Sequence, residues 1–183
     1  MKKFGTYDNV QPYQETPRLP ANGYIIGILD ADEKTESWGN VLEIKYDIEE
    51  GEYKNHFTNQ YKNTQMEDKK YKGVYRLNIP KEDGTEQDQW TARKFKTDIM
   101  AIEASNPDYH WDWNEKSLIG KLVGAVFFEK EYEFEGKTGM FTALYSFKDI
   151  EAIRAGRFKI PAPKMLKRDT PAYEPIDETD LPF

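Results

Sequence analysis

Apolar and polar positions alternate cleanly over VLEIKYDIEEG, residues 41–51. Leu42, Ile44, Tyr46 and Ile48 fall on one face; Val41, Glu43, Lys45 and Asp47 fall on the other. A period of two is that of a half-buried strand. The isoleucine-rich GYIIGILDADEK before it reads as a first strand, and YKNHFTNQY, after the turn EGE, reads as a third. Together they predict an antiparallel meander. Residues 62–88 are rich in lysine and acids, hold one strand-like piece, GVYRLNIP, and read as an insertion or an elaborated loop.

From about Gln87 to Ser105 the period becomes helical, with Phe95, Ile99 and Ile102 at i, i+4 and i+7. Asn106-Pro107 stops that helix. Two more strands, GKLVGAVFFEKEYEF and KTGMFTALYSF, are joined by the turn EGK, and DIEAIRAGRF reads as a short helix ending at Gly156. Residues 1–22 have three prolines and no period, and read as an arm. The domain then spans 23–160, and 161–183 form a proline-stiffened, flexible acidic tail. The order β-β-β-α-β-β predicts a mainly β chain with the OB-fold, a five-stranded antiparallel Greek-key barrel with a helix between strands three and four. SH3-like barrels and open α+β sheets compete for the same pattern.

Composition sharpens this reading in three places. Aromatic residues make up 14% of the 183 residues, more than a disordered chain carries. There is no cysteine, so neither a disulfide framework nor a thiolate metal site is expected, in keeping with a reducing cytoplasm. Apolar runs such as Leu122–Phe128 are too short to span a bilayer, and no apolar run follows the two lysines of MKKFGTYDNV as in a secretory signal. The net charge of −7 is unevenly spread. Residues 169–183 hold five acids and no base, whereas 147–168 hold seven bases against two acids. A basic segment runs straight into an acidic ending, though two solvated stretches would read the same way.

That ending, DETDLPF, resembles the acidic tip of bacterial single-stranded DNA-binding proteins, which finish with acids and a Pro-Phe pair. GYIIGILDADEK, IEEGEYKNHF, KLVGAVFFEKEYEFEGKTG and FKDIEAIRAGRF are similar to phage and prophage proteins of the DUF669-like type, themselves similar to single-strand binders. The tail here is short and lacks a long glycine- or glutamine-rich linker. The resemblance implies an OB-fold that binds single-stranded DNA in bacteriophage DNA replication and recombination, in the cytoplasm of a bacterial host. It further implies that Asp177, Glu178, Asp180, Leu181, Pro182 and Phe183 recruit replication and recombination proteins. A pocket apolar inside and rimmed by Arg or Lys could take the Phe183 ring and carboxylate together, while the acids steer the tail to it. The bland alternative is a solubilising tail.

Binding unpaired DNA without sequence preference needs a cationic track for phosphates and aromatic faces for bases. In OB-folds these lie on strands two and three and the loops around them. The candidates are Trp38 and Lys45 around the second strand; Tyr53, Lys54, His56, Phe57 and Tyr61 on the expected third strand; Trp90, Arg93, Lys94 and Lys96 at the start of the helix; and Lys121 and Lys137 on the closing strands. Phe57 and Tyr53 serve equally as barrel filling, and Trp90 and Tyr46 as packing. His110 with Asp108 and Asp112 is too sparse for a metal site, since the other histidine is the distant His56. EGKTG lacks the earlier glycine of a phosphate loop and reads as a hairpin turn. No catalytic group, metal or cofactor is expected. The competing function class is a protein–protein adaptor or virion component with a β-barrel body and no affinity for DNA. Oligomeric state stays open, since OB-fold binders occur as monomers, dimers and tetramers.

Overall fold

The computed structural model describes residues 1–10, 12 and 17–167. Five strands form one antiparallel sheet: β1 (Gly23–Glu36), β2 (Gly39–Ile48), β3 (Val74–Asn78), β4 (Leu122–Phe134) and β5 (Lys137–Lys148). Their order is β3-β2-β1-β4-β5. Three helices punctuate them: α1 (His56–Asn63), α2 (Glu86–Ser105) between the third and fourth strands, and α3 (Ile150–Arg154). None of the helices among the described residues is long and apolar enough to cross a membrane.

β1 is the pivot of the sheet. Its first residues pair with β4, from Gly23 opposite Val126 to Gly27 opposite Leu122. On its other side, pairing with β2 runs from Ile26 opposite Ile48 to Glu36 opposite Gly39. A bulge at Leu29 lets Ile28 and Ala31, three apart, both face inward. The alternation read in β2 holds for its inner face, where Leu42, Ile44, Tyr46 and Ile48 are all buried. Leu19, from the expected arm, is buried in the same core.

The expected third strand is a correction. Residues 56–61 of YKNHFTNQY are helical and belong to α1, and the third strand is β3, inside the segment read as an insertion. Tyr53, Phe57 and Tyr61 are four residues apart, a spacing that a strand face and a helix face both accept. Long-range capping decides between them. The Asp47 carboxylate, near the end of β2, accepts from the backbone N–H groups of Phe57 at 2.9 Å and Thr58 at 2.8 Å. It thereby satisfies donors that the first turn of a helix leaves open. Asn55, in the left-handed conformation at φ 58°, bends the chain into that turn. β3 alternates, with Tyr75 and Leu77 buried and Arg76 and Asn78 exposed.

α2 begins at Thr85, whose side chain accepts from the Asp88 N–H, and it buries Phe95, Asp98, Ile99, Ala101 and Ile102. At its far end the Asn106 amide donates to the carbonyls of Ile102 and Leu122, fixing the helix end to the start of β4. Among the described residues no ladder joins β3 to β5, so the sheet is not closed. Asp98, fully buried, links these two edges instead. Its carboxylate accepts from the Tyr75 hydroxyl on β3 at 2.7 Å and from the Phe147 N–H on β5 at 3.0 Å. Lys94 Nζ, 2.7 Å away, supplies the countercharge from one turn earlier on α2.

A second, smaller cluster of Ile25, Val126 and Ile153 seats α3 on the outer face. Gly124 is required there, since a Cβ at that position would sit 2.5 Å from the Ile153 side chain.

Asp98→Ala removes the acceptor for three donors and leaves the Lys94 ammonium without its countercharge. The expected loss is about 3–5 kcal/mol, as for breaking a buried ion pair, read from urea unfolding of the full chain. A loss below about 1 kcal/mol, the net worth of one ordinary hydrogen bond, would show that the two edges are held by something else.

Candidate nucleic-acid interface

The sequence candidates separate into three environments. Phe57 and His56 are buried, and Tyr53 packs partly buried against the same core. The His56 ring lies edge-on between Tyr53 and Phe57, and burial holds its pKa below the usual range against the opposing pull of Asp47. Lys54, Lys94 and Lys45 are engaged by acids, pairing with Glu49 at 3.0 Å, Asp98 at 2.7 Å and Asp30 at 2.9 Å. Lys121 lies over the Tyr109 ring. Trp38, Tyr61, Trp90, Arg93, Lys96 and Lys137 are exposed. Of these, Lys69 covers the Tyr61 ring and Arg93 lies 5.3 Å from that of Trp90. Asp177, Glu178, Asp180, Leu181, Pro182 and Phe183 lie outside the described residues.

The outer face of β1, β2 and β3, where a cationic track was expected, is an ion-pair lattice. Glu43 takes Lys34 on one side and Arg76, at 2.8 Å, on the other. Burial works to raise the Glu43 pKa, but the contacts from Lys34 and then Arg76 outweigh it and hold the carboxyl below its usual range. Lys116 bridges Asp30 and Asp32, and Asp30 also holds Lys45. Hydrogen bonds from Lys45 and then Lys116 hold Asp30 down to about 2. These cations are already neutralised, and the face carries no aromatic ring on β2 or β3.

The aromatic surface stands instead on the far half of the β4–β5 hairpin. The two strands meet at Glu135-Gly136, both with positive φ, a tight turn of the kind that matches strand twist. Phe128, Lys130, Tyr132 and Phe134 share one face of β4; Lys137, Gly139, Phe141 and Ala143 share the same face of β5. Tyr145, at the β5 bulge, brings its ring to 5.4 Å from Phe128. Tyr132 and Phe141 stand 6.1 Å apart, and Lys130 Nζ lies 5.8 Å from the Phe141 ring. Gly139 leaves room for the Tyr132 ring, which an added Cβ would meet at 2.7 Å. Phe134 is 67% exposed, and Tyr132, Phe141 and Tyr145 are exposed too.

Strand alternation also sorts the charges. Glu129, Glu131 and Glu133 occupy the opposite face of β4, so the aromatic face contains no acid. A third lysine joins it from outside the sheet. Lys164 forms a parallel bridge to Lys130, donating its N–H to the Glu129 carbonyl at 2.9 Å and accepting from the Glu131 N–H at 2.9 Å. Bridged residues share a face, which places Lys164 beside Lys130. Lys130, Lys137 and Lys164 have no acidic partner among the described residues. The sequence carries the signal for this face in FEKEYEF, where rings and a lysine alternate with glutamates; reading that run simply as a closing strand passed over it.

No protein-family model matches the chain, and no curated protein matches it.

Asp30 offers a direct check on the lattice. A depressed carboxyl pKa stabilises the folded state above the ordinary aspartate range, and that contribution is lost as the pH falls through about 2. An NMR titration should find Asp30 near that value, and Lys45→Ala should return it toward the ordinary range. An unchanged Asp30 in the variant would mean that Lys45 is not bound to it in solution.

Proposed function

We propose that the chain binds single-stranded DNA largely without regard to sequence, stacking bases on the β4–β5 hairpin and passing phosphates along Lys130, Lys137 and Lys164. The observation that carries this reading is an exposed, acid-free face of rings and lysines in a chain of net charge −7. Stacking on aromatic side chains is tolerant of sequence because every base has a π-face, and lysines supply the charge that tracks the backbone. The strand order also supports an OB-type arrangement, in which the sheet would curl about α2 with β3 and β5 at the seam. In OB-folds the loop between strands four and five is one of the elements that grip oligonucleotides. The acidic ending would then recruit replication and recombination proteins, as the likeness of DETDLPF to single-strand binders suggests.

Labelled oligo-dT titrated at several salt concentrations tests the reading. Binding should weaken with salt by counterion release, by about 0.7 in slope for each phosphate contacted. Replacing Lys130, Lys137 and Lys164 together by Ala should flatten the slope by about 2. Tyr132→Ala or Phe141→Ala should each cost about 1–3 kcal/mol of binding without lowering thermal stability appreciably. Failure to bind in dilute buffer would overturn the proposal and favour the adaptor.

A further inference from the structure

β5 closes one side of the sheet with a strand of 12 residues, about twice the usual length. The bonds to Lys164 fix which way its backbone points. Lys164 meets the Glu129 carbonyl and the Glu131 N–H on the side of β4 away from β5. The main-chain groups of Phe128, Lys130, Tyr132 and Phe134 therefore turn toward β5, where Ala143, Phe141, Gly139 and Lys137 answer them. That leaves Thr138, Met140, Thr142 and Leu144 with their N–H and C=O groups turned outward. None of these outward backbone groups has a hydrogen-bond partner among the described residues.

The neighbouring edges are defended. Arg18 and the Lys164 segment cover the far half of β4. Beyond Leu144, Tyr75 holds the Tyr145 carbonyl and Asp98 holds the Phe147 N–H. The stretch between is open, and TGMFTALYSF, residues 138–147, contains neither a charge nor a proline. Those are the devices that keep an edge strand from pairing. A chain with 33 acids and 26 bases, none of them in this run, leaves the edge fit to be paired. An uncharged strand offers little for a foreign charged segment to recognise, yet it meets its own copy with no like charges opposed.

We propose that β5 pairs antiparallel with β5 of a second copy of this chain, about a two-fold axis at Phe141. Only one register uses all four outward residues: Thr138 stands opposite Leu144 of the second copy, and Met140 opposite Thr142. Phe141 then faces Phe141 as a non-hydrogen-bonded pair, the kind in which side chains stand closest. Gly139 and Ala143 oppose one another beside it, leaving space for both rings. The pairing ends at Tyr145 and Phe147, whose outward groups Tyr75 and Asp98 already occupy. An axis that relates antiparallel strands of one sheet stands perpendicular to it, so the ring faces of both copies lie on the same side. Lys130, over the Phe141 ring in each copy, then flanks the central pair. The inference stands on backbone geometry and holds whether or not that face binds DNA.

Sedimentation of the full chain without DNA should show a dimer. Met140→Pro removes an outward N–H that the monomer does not use, and it acts twice across the axis. It should weaken the dimer about tenfold or more. Because the chain has no cysteine, cross-linking tests the register directly and does not depend on how that variant folds. Phe141→Cys should oxidise to a covalent dimer, since the Cα atoms of such a pair lie about 4.5 Å apart, within disulfide reach. Tyr132→Cys, exposed on the same face but one strand further from the axis, should not. A chain that stays monomeric at about 0.1 mM, where even a weak contact assembles, overturns the proposal. So does a dimer in which Cys at 132 cross-links as readily as Cys at 141, because the copies then meet elsewhere. Either result leaves the single-strand reading, tested by the oligo-dT titration, untouched.

Discussion

β3 and β5 end the sheet on its two sides, and among the described residues no backbone ladder joins them. A buried carboxylate bridges them, beside the direct contacts of Tyr75 with the Tyr145 carbonyl at 3.5 Å and with the Phe147 ring at 5.0 Å. Asp98 reaches from the inward face of α2 to the Tyr75 hydroxyl on one edge and the Phe147 N–H on the other. A charge taken out of water costs several kcal/mol unless each of its lone pairs finds a donor. Here three donors converge, and Lys94 lends a positive charge from a half-exposed position where its own hydration is partly kept. Burial, and then the Asp98 charge, push the Tyr75 pKa up, so that hydroxyl stays protonated and donating. Helix and both edges are thereby one unit, and a shift in α2 would be felt on either side of the sheet.

The same logic of pairing decides which surface is left to interact. On β1, β2 and β3 every outward acid of the central patch has a basic neighbour across the strand or from Lys116. Such a surface gains little from an incoming phosphate, because each new contact must break an existing one. On the hairpin the two-residue period of β4 sends glutamates one way and rings with lysine the other. Segregation by face lets a chain of negative total charge present a local cationic, aromatic surface. Net charge alone is therefore a poor guide to the local charge of a surface, as the distribution matters more than the sum.

Much of the architecture was legible because its signals were local. The alternation of β2, the isoleucines of β1, the turn of β4 and β5, and the i, i+4, i+7 stripe of α2 each lie within one segment. The exchange of α1 for a strand has a different origin. Tyr53, Phe57 and Tyr61 suit both periods, and the arbiter is Asp47, a residue ten positions before the first N–H it caps. No window over residues 53–61 contains that information. β3 was visible as GVYRLNIP but was discounted for its polar surroundings, while its pairing with β2 depends on a register that only the folded sheet fixes. Among the candidate site residues, exposure at Trp38 and Lys137 could be anticipated from turn context. The ion pairs of Lys45 and Lys94 could not, since Asp30 faces Lys45 through a strand register and Tyr75 joins Lys94 and Asp98 from another element.

The edge of β4 shows how an edge problem and a surface can share one solution. β1 begins at Gly23, opposite Val126, so the far half of β4 runs on without its inner neighbour. An exposed edge of this kind is a site for unwanted pairing. The chain covers part of it from both directions. Arg18 pairs with Glu129 at 2.5 Å, and the segment around Lys164 bonds to the backbone on either side of Lys130. The Glu131 carboxylate, on the face turned from the rings, accepts the Leu166 N–H at 3.0 Å and pins that segment down. Edge protection thus consumes the glutamates and delivers a lysine to the opposite face. The basic run of residues 147–168 acquires a structural reason for its charge: part of it is laid against the hairpin, where a cation adds to the ring face instead of being dispersed along a tail.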